Sequence, residues 1–291
     1  MTRHQAADST PTTTGATATS ATATGPMVAV TDLRRSFGTG ERTVHALRGI
    51  SFSVGRGELT ALKGRSGSGK TTLLNLVGGL DAPTGGSIAL DGIDLGGLNE
   101  DGRLALRRER IGFVFQSFGL IPMLTAAENV GVPMRLRKVL PAEREERAHT
   151  LLALVGLADH ANQRPGELSG GQQQRVAIAR ALISKPSVIF ADEPTGNLDS
   201  VSSAEVLTLM RDLVKELGQT IVMVTHDATA ASYTDRAIIL ADGQIVADRE
   251  HPQAQEMSDL LTSIMQEIVG KQASAHHLAA HSVHSLNASQ A

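Results

Sequence analysis

The run Gly64-Arg65-Ser66-Gly67-Ser68-Gly69-Lys70-Thr71 fits the pattern G-x-x-x-x-G-K-[ST], and it constrains the fold more than any other part of the chain. Such a loop works only where a strand hands over to a helix. An apolar run from Gly57 to Lys63 precedes it and reads as a buried strand. Thr72-Leu73-Leu74-Asn75-Leu76-Val77 follows and reads as the start of a helix. Glycines let backbone N–H groups converge on phosphates, and the helix N-terminus adds partial positive charge. Lys70 is placed to reach the β- and γ-phosphates, and the Thr71 hydroxyl to ligate Mg²⁺. Gly64, Arg65, Ser66, Gly67, Ser68, Gly69, Lys70, Thr71 and Thr72 are therefore all expected around a nucleoside triphosphate.

Two more apolar strands end in polar groups. Val188-Ile189-Phe190-Ala191 runs into Asp192 and Glu193, and Ile221 to Thr225 runs into His226. Parallel sheets place ligands at the C-terminal ends of their strands. Asp192 is expected to hold Mg²⁺, directly or through water, and Glu193 to orient or deprotonate the attacking water. If these strands are neighbours of the one ending at Lys63, all three sets converge on one nucleotide, and His226 can bond the γ-phosphate and Glu193 together.

The remaining pattern alternates strand and helix. Strands are expected at Met27–Thr31, Ile50–Val54, Ile88–Leu90, Ile111–Phe115, Ala237–Leu240 and Gln244–Val246, with Asp242-Gly243 as a hairpin turn. From Thr125 the period changes. Thr125-Ala126-Ala127-Glu128 fits a capping box, and helices are expected over Glu143–Leu157 and Gln172–Ile183. Ser202-Ser203-Ala204-Glu205 is expected to cap a helix ending near Gly218.

Residues 1–26 are Thr/Ala-rich, lack the apolar content to fold and are expected to be a disordered tail, with no apolar stretch resembling a signal peptide. A last helix is expected within 251–270 and a second disordered tail over 271–291, whose His276, His277, His281 and His284 read as solvated. The formal charge of -3 shows no basic excess, so no nucleic acid is expected. The chain has no Cys, which removes disulfides and thiolate metal sites. No apolar run approaches the ~18 residues of a membrane-spanning helix.

Leu168-Ser169-Gly170-Gly171-Gln172 narrows the class. Together with the phosphate loop, the acidic pair and His226, it resembles the signature of the ATP-binding cassette (ABC) ATPases of ABC transporters. The resemblance covers about Val28 to Asp248 with every motif in order. It implies an α/β P-loop (RecA-like) core with an antiparallel β-subdomain, over 27–116 and 185–250, and an inserted α-helical subdomain over about 117–184. It implies ATP and Mg²⁺ as cofactors. Gln116 matches the glutamine that contacts Mg²⁺ and the attacking water, and Phe37 the aromatic that stacks on adenine, where Tyr is more usual. His226 matches the γ-phosphate switch. Ser169, Gly170, Gly171 and Gln172 match the segment that closes on the partner subunit's ATP in a head-to-tail dimer, and Asp199 matches the loop that crosses its interface.

Arg110 to Phe118, Leu124 to Val130 and Asp192 to Asp199 resemble the ATPases of macrolide exporters and lipoprotein-releasing complexes, close also to the cell-division ABC ATPase. That branch implies a separate permease docking near Phe118–Met134 and a place on the cytoplasmic face of the membrane. Two functions fit: energising export or extraction of a drug, peptide or lipoprotein, and gating a permease-like partner that controls cell-wall processes without transport.

Overall fold

The structure, a computed structural model, describes residues 25–38, 40–260, 262, 263 and 266. The expected tail at 271–291 and nearly all of that at 1–26 lie outside the described residues, as does much of the expected helix within 251–270. The described part of that segment is helical at 254–260.

Two sheets organise the chain. The first is antiparallel, with β1 (Val28–Phe37) and β2 (Val44–Val54) joined later by β4 (Gly85–Leu90) and β5 (Ile93–Asp94) in the order β2-β1-β4-β5. The second holds β3 (Leu59–Gly64), β6 (Ile111–Phe115), β7 (Val188–Asp192), β8 (Thr220–Thr225), β9 (Arg236–Ala241) and β10 (Gln244–Glu250). Its order is β10-β9-β3-β8-β7-β6, parallel from β9 to β6, with β10 antiparallel at the edge. β3 and β8 are buried at every residue, as continuous apolar runs require when helices cover both faces of a parallel sheet.

Among the described residues, seven α-helices connect these strands: α1 (Lys70–Val77), α2 (Glu100–Arg110), α3 (Ala126–Leu136), α4 (Pro141–Leu154), α5 (Gly170–Leu182), α6 (Ser200–Leu217) and α7 (Ala228–Ala231). Strand side chains alternate between two apolar clusters. Leu59, Ala61, Ile189, Ala191, Ile221 and Met223 face the cluster that holds residues of α3 to α6. Leu62, Val188, Phe190, Val222 and Val224 face the one shared with α1 and the antiparallel sheet.

Several expectations are corrected. β1 runs on past Thr31 to Phe37, through register shifts around Asp32, whose φ is 45°. That irregularity breaks the apolar alternation by which the strand was read. β2 begins at Val44, well before Ile50, for a similar reason. α2 was not foreseen, since only its Leu106 is buried and the rest is strongly charged. α6 is capped by Asp199 rather than Ser202: the Asp199 carboxylate accepts the N–H groups of Val201 and Ser202. A carboxylate at that position also meets the positive end of the helix. The capping box at Thr125 and the left-handed Gly218 after α6 lie where expected.

The β9–β10 hairpin does more than turn the chain. Asp242 and Gly243 both have positive φ, 48° and 73°. The Gly243 N–H donates to the Ser68 carbonyl, and the Gly243 carbonyl accepts from Arg48 N–H. A Cβ at Gly243 would sit 2.5 Å from the Ala46 carbonyl oxygen. Gly243→Ala is therefore expected to lower stability by about 1–3 kcal/mol, from backbone strain and the push on β2. Urea denaturation checks it; a loss of under ~0.5 kcal/mol would refute the tight seat.

Candidate nucleotide site

The phosphate loop leaves the buried end of β3 and enters α1. Its glycines are demanded by space. A Cβ on Gly64 would run into the Leu240 carbonyl and the Ser68 hydroxyl. Gly69, at φ 99°, caps α1, and a Cβ there would lie 2.7 Å from the Ala46 carbonyl oxygen. Bare backbone thus lines the floor of a cavity of about 870 Å³, made by the loop residues from Gly64 to Thr72 other than Ser68. Glu193 and His226 form one wall, and Val44, His45, Ala46 and Arg48 another. The Ser68 hydroxyl is buried without a hydrogen-bond partner.

Lys70 is nearly buried, and its Nζ donates to the Arg65 carbonyl at 2.7 Å. Burial lowers its pKa, while the charges of Glu193 and then Asp192 pull it back up. A cation held among bare amides at a helix N-terminus, with two carboxylates opposite, suits a triphosphate with a divalent metal.

β7 and β8 are neighbours, and β8 in turn pairs with β3. This adjacency brings the sequence-distant groups together. Glu193 Oε1 lies 3.0 Å from His226 Nδ1. Glu193 has φ 45°, a left-handed backbone that a non-glycine residue adopts at a cost. Its N–H donates to the Val224 carbonyl, which fixes the turn across β8. The preceding Asp192 has its pKa raised, first by burial and then by Glu193, with Lys70 opposing.

Other expected residues lie elsewhere. Phe37 stands at the end of β1, does not line the cavity and is covered by the Arg35 guanidinium, 4.6 Å from its ring centre. Gln116 is turned to Asn197: its Nε2 donates to Asn197 Oδ1, and Asn197 returns a bond to the Gln116 carbonyl. Ser169 caps α5, accepting from Gln172 N–H, while the Gln172 side chain accepts from Ser169 N–H. A Cβ at Gly171 would meet the Ser202 side chain at 3.0 Å, so the start of α5 packs closely on that of α6. None of Ser169, Gly170, Gly171, Gln172 and Asp199 lines the cavity. The expectation that Lys63 joins the nucleotide contacts is also corrected. Its ammonium is buried and donates to the His226 carbonyl instead.

Sequence reading missed the residues that hold these segments. Gln174 is fully buried, and its Nε2 donates to the Phe115 and Pro194 carbonyls, tying α5 to the ends of β6 and β7. Arg180 donates to the Phe118 and Gly119 carbonyls. Buried Asn129 accepts from Ile121 N–H and donates to three carbonyls of the loop before α3. Each bonds to backbone, which carries no sequence signal. That loop leaves Ile121 and Met123 exposed, Met123 to 82 %.

A glycine-cradled cavity at the ends of parallel strands, flanked by an antiparallel sheet and an inserted helical layer, defines the ATP-binding cassette class. The ABC transporter family profile matches residues 47–196. The chain belongs to the ABC transporter family, and it is an ATP-binding, ATP-hydrolysing cassette of that family. It is 48 % identical over 223 residues to an uncharacterised ABC transporter ATP-binding protein, YvrO, of Bacillus subtilis, covering 76 % of this chain and 96 % of that protein. It is also 48 % identical over 232 residues to the macrolide export ATP-binding/permease protein MacB of Marinobacter nauticus, covering 79 % of this chain. The chain spans only 36 % of the length of that MacB. Among solved structures it resembles the dimeric post-hydrolysis state of the ATP-binding cassette MJ0796 bound to ADP and Pi, with a TM-score of 0.71 and 41 % identity over 78 % of this chain and all of that one. Among the described residues, no helix is long and apolar enough to cross a membrane.

Proposed function

We propose that this cassette energises a separate membrane permease by closing on ATP as a head-to-tail homodimer and reopening when the ATP is hydrolysed. The observation that carries the reading is the Glu193–His226 pair at the wall of a glycine-floored cavity. Glu193 acts as the base or orienter for water, and His226, held to it, senses the γ-phosphate. Lys70 and the loop amides from Gly64 to Thr72 hold the phosphates. Thr71 and Asp192 would hold Mg²⁺, joined by Gln116 once its amide leaves Asn197, and the ion would supply charge neutralisation when bound. Among the described residues no cluster of three His, Asp or Glu side chains could hold a metal alone. A Mg²⁺ shared with phosphates needs only one or two protein ligands. Phe37, which does not line the cavity here, would flank the adenine once turned from the Arg35 guanidinium.

The dimer part of the proposal rests on what the cavity lacks. Ser169 and its glycines form a helix N-terminus free of the cavity of their own chain. The dimeric MJ0796 cassette, matched over its whole length, is a precedent for such an assembly. The permease reading rests on the MacB relatives, whose names join the ATP-binding part to a permease, and on the exposed Ile121 and Met123 in the loop that follows Gln116. It keeps the cassette on the cytoplasmic face and keeps the docking surface at 118–134. The division into a core with its β-subdomain over 27–116 and 185–250, and a helical part over 117–184, belongs to the same proposal.

Lys70→Ala tests the nucleotide contact. A charge-assisted phosphate bond contributes roughly 1.5–3 kcal/mol, so ATP affinity should fall tenfold or more. Isothermal titration reads this directly, and an unchanged dissociation constant would remove Lys70 from the site.

A further inference from the structure

We infer that Lys63 is a positioning residue for hydrolysis, fixing the turn that carries His226 by donating to the His226 backbone carbonyl from the buried end of β3. The inference rests on the proposed roles of Glu193 and His226. Lys63 has no exposed surface, and it lines no wall of the nucleotide cavity. It pairs in register with Thr225 of β8 on one side and Ile239 of β9 on the other, directly behind the turn at 226–227. Its Nζ lies 2.9 Å from the His226 carbonyl oxygen.

The His226 side chain is 62 % exposed, so little packing holds it. Its orientation is set by two contacts at opposite ends of the residue: Glu193 on the ring and Lys63 on the backbone. The next residue is tied down as well, since Asp227 caps α7 through the N–H groups of Thr229 and Ala230. Lys63 therefore couples the strand leading into the phosphate loop to the turn that reads the γ-phosphate. A displacement of one is passed to the other through the β3–β8 ladder at Thr225 and through this ammonium.

An ammonium is an expensive way to fill this position. Lys63 shares the sheet face of Leu59 and Ala61, where an apolar side chain would pack without desolvating a charge. Burial pushes the Lys63 pKa down to about 8, with Asp227 raising it and Lys70 lowering it further. A folded pKa below the unfolded value means that the charged form is disfavoured by folding. The stability penalty is full below pH 8 and is relieved as pH rises from about 8 toward the ordinary lysine value of 10.5. A side chain that lowers stability and touches no ligand is accounted for by what it orients.

K63M keeps length and removes the donor. In the full chain at pH 7 its melting temperature should equal or exceed that of wild type, its KM for ATP should stay within about twofold, and its kcat should fall ~10-fold, as when an orienting partner is lost. The kcat ratio of wild type to K63M should then fall part of the way as pH rises past about 8, where Lys63 exchanges a charge-assisted bond for the weaker one of a neutral amine. A purely structural lysine gives the opposite pattern, with a lower melting temperature and an unchanged kcat per folded molecule. That result, or a kcat within twofold of wild type, overturns the inference. If K63M does not fold, K63Q supplies the test through kcat per mole of folded protein, and no loss there overturns it equally. Glu193→Gln run in parallel separates the two levels. Full turnover in that variant sinks the catalytic reading, whereas wild-type kcat in K63M beside an inactive Glu193→Gln sinks only the role of Lys63.

Discussion

Glu193→Gln should lower steady-state ATP turnover by ~10²–10⁴ while leaving ATP affinity within a few-fold of wild type. The amide keeps the size of the carboxylate and its hydrogen bond to His226, now 3.0 Å away, but cannot take a proton from water. Because the left-handed backbone of Glu193 is fixed by bonds through its N–H and carbonyl, the side-chain change should not disturb the turn. Turnover above a tenth of wild type would take Glu193 out of the reaction. The same variant should accumulate as an ATP-dependent dimer in light scattering, since the step that separates the subunits is blocked.

That dimer gives the second large effect. Ser169→Arg, added to Glu193→Gln, should abolish ATP-dependent dimerisation and leave ATP binding by the monomer intact. The reason is positional. Ser169 caps α5 and lies off the cavity wall of its own chain, so a bulky cation there obstructs only a nucleotide brought by another copy. Loss of ATP binding by the monomer would place Ser169 in its own chain's site. A dimer that persists would refute the head-to-tail arrangement. Mixing inactive Ser169→Arg and Lys70→Ala proteins offers a complementary readout. Heterodimers join the sound loop of one chain to the sound signature of the other, and partial ATPase should return. The helix keeps half of its capping box in Ser169→Arg, because Gln172 still accepts from the residue 169 N–H. A melting temperature close to wild type is the internal control.

The parts of this molecule legible in the sequence are those whose cause is local. The phosphate loop between β3 and α1 declares itself because glycines, lysine and threonine stand at fixed spacing between an apolar run and a helix. β7 and β8 were legible as short apolar runs, and the box at Thr125 as a cap followed by its glutamate three residues on. The meeting of Glu193 with His226 needed one added assumption, that their strands are adjacent, and the sheet order supplies it. What stayed hidden depends on tertiary contact with backbone. Gln174 reads as one more polar residue in a Gln-rich helix start, yet it is fully buried between two carbonyls. Lys63 reads as one of three polar strand ends that converge on the nucleotide, while its partner is a backbone carbonyl 163 residues away. Ser202 and Asp199 both satisfy capping chemistry, and only the path of the chain out of β7 decides between them.

The placement of β3 has a consequence for how the protein is made. β3 is synthesised early, but both of its neighbours, β8 and β9, come from the last part of the cassette. A growing chain therefore holds the complete glycine loop long before the strands that flank β3 exist. Until residue 225 has emerged, the strand that feeds the loop has both edges open, and until residue 241 it still has one. Long-range parallel pairing of this kind is slow, and open apolar edges invite association with other chains. The walls that Glu193, His226 and Gly243 add to the cavity are synthesised long after its glycine floor. The interval between synthesis of β3 and arrival of β9 is the period in which a nascent cassette most needs a chaperone.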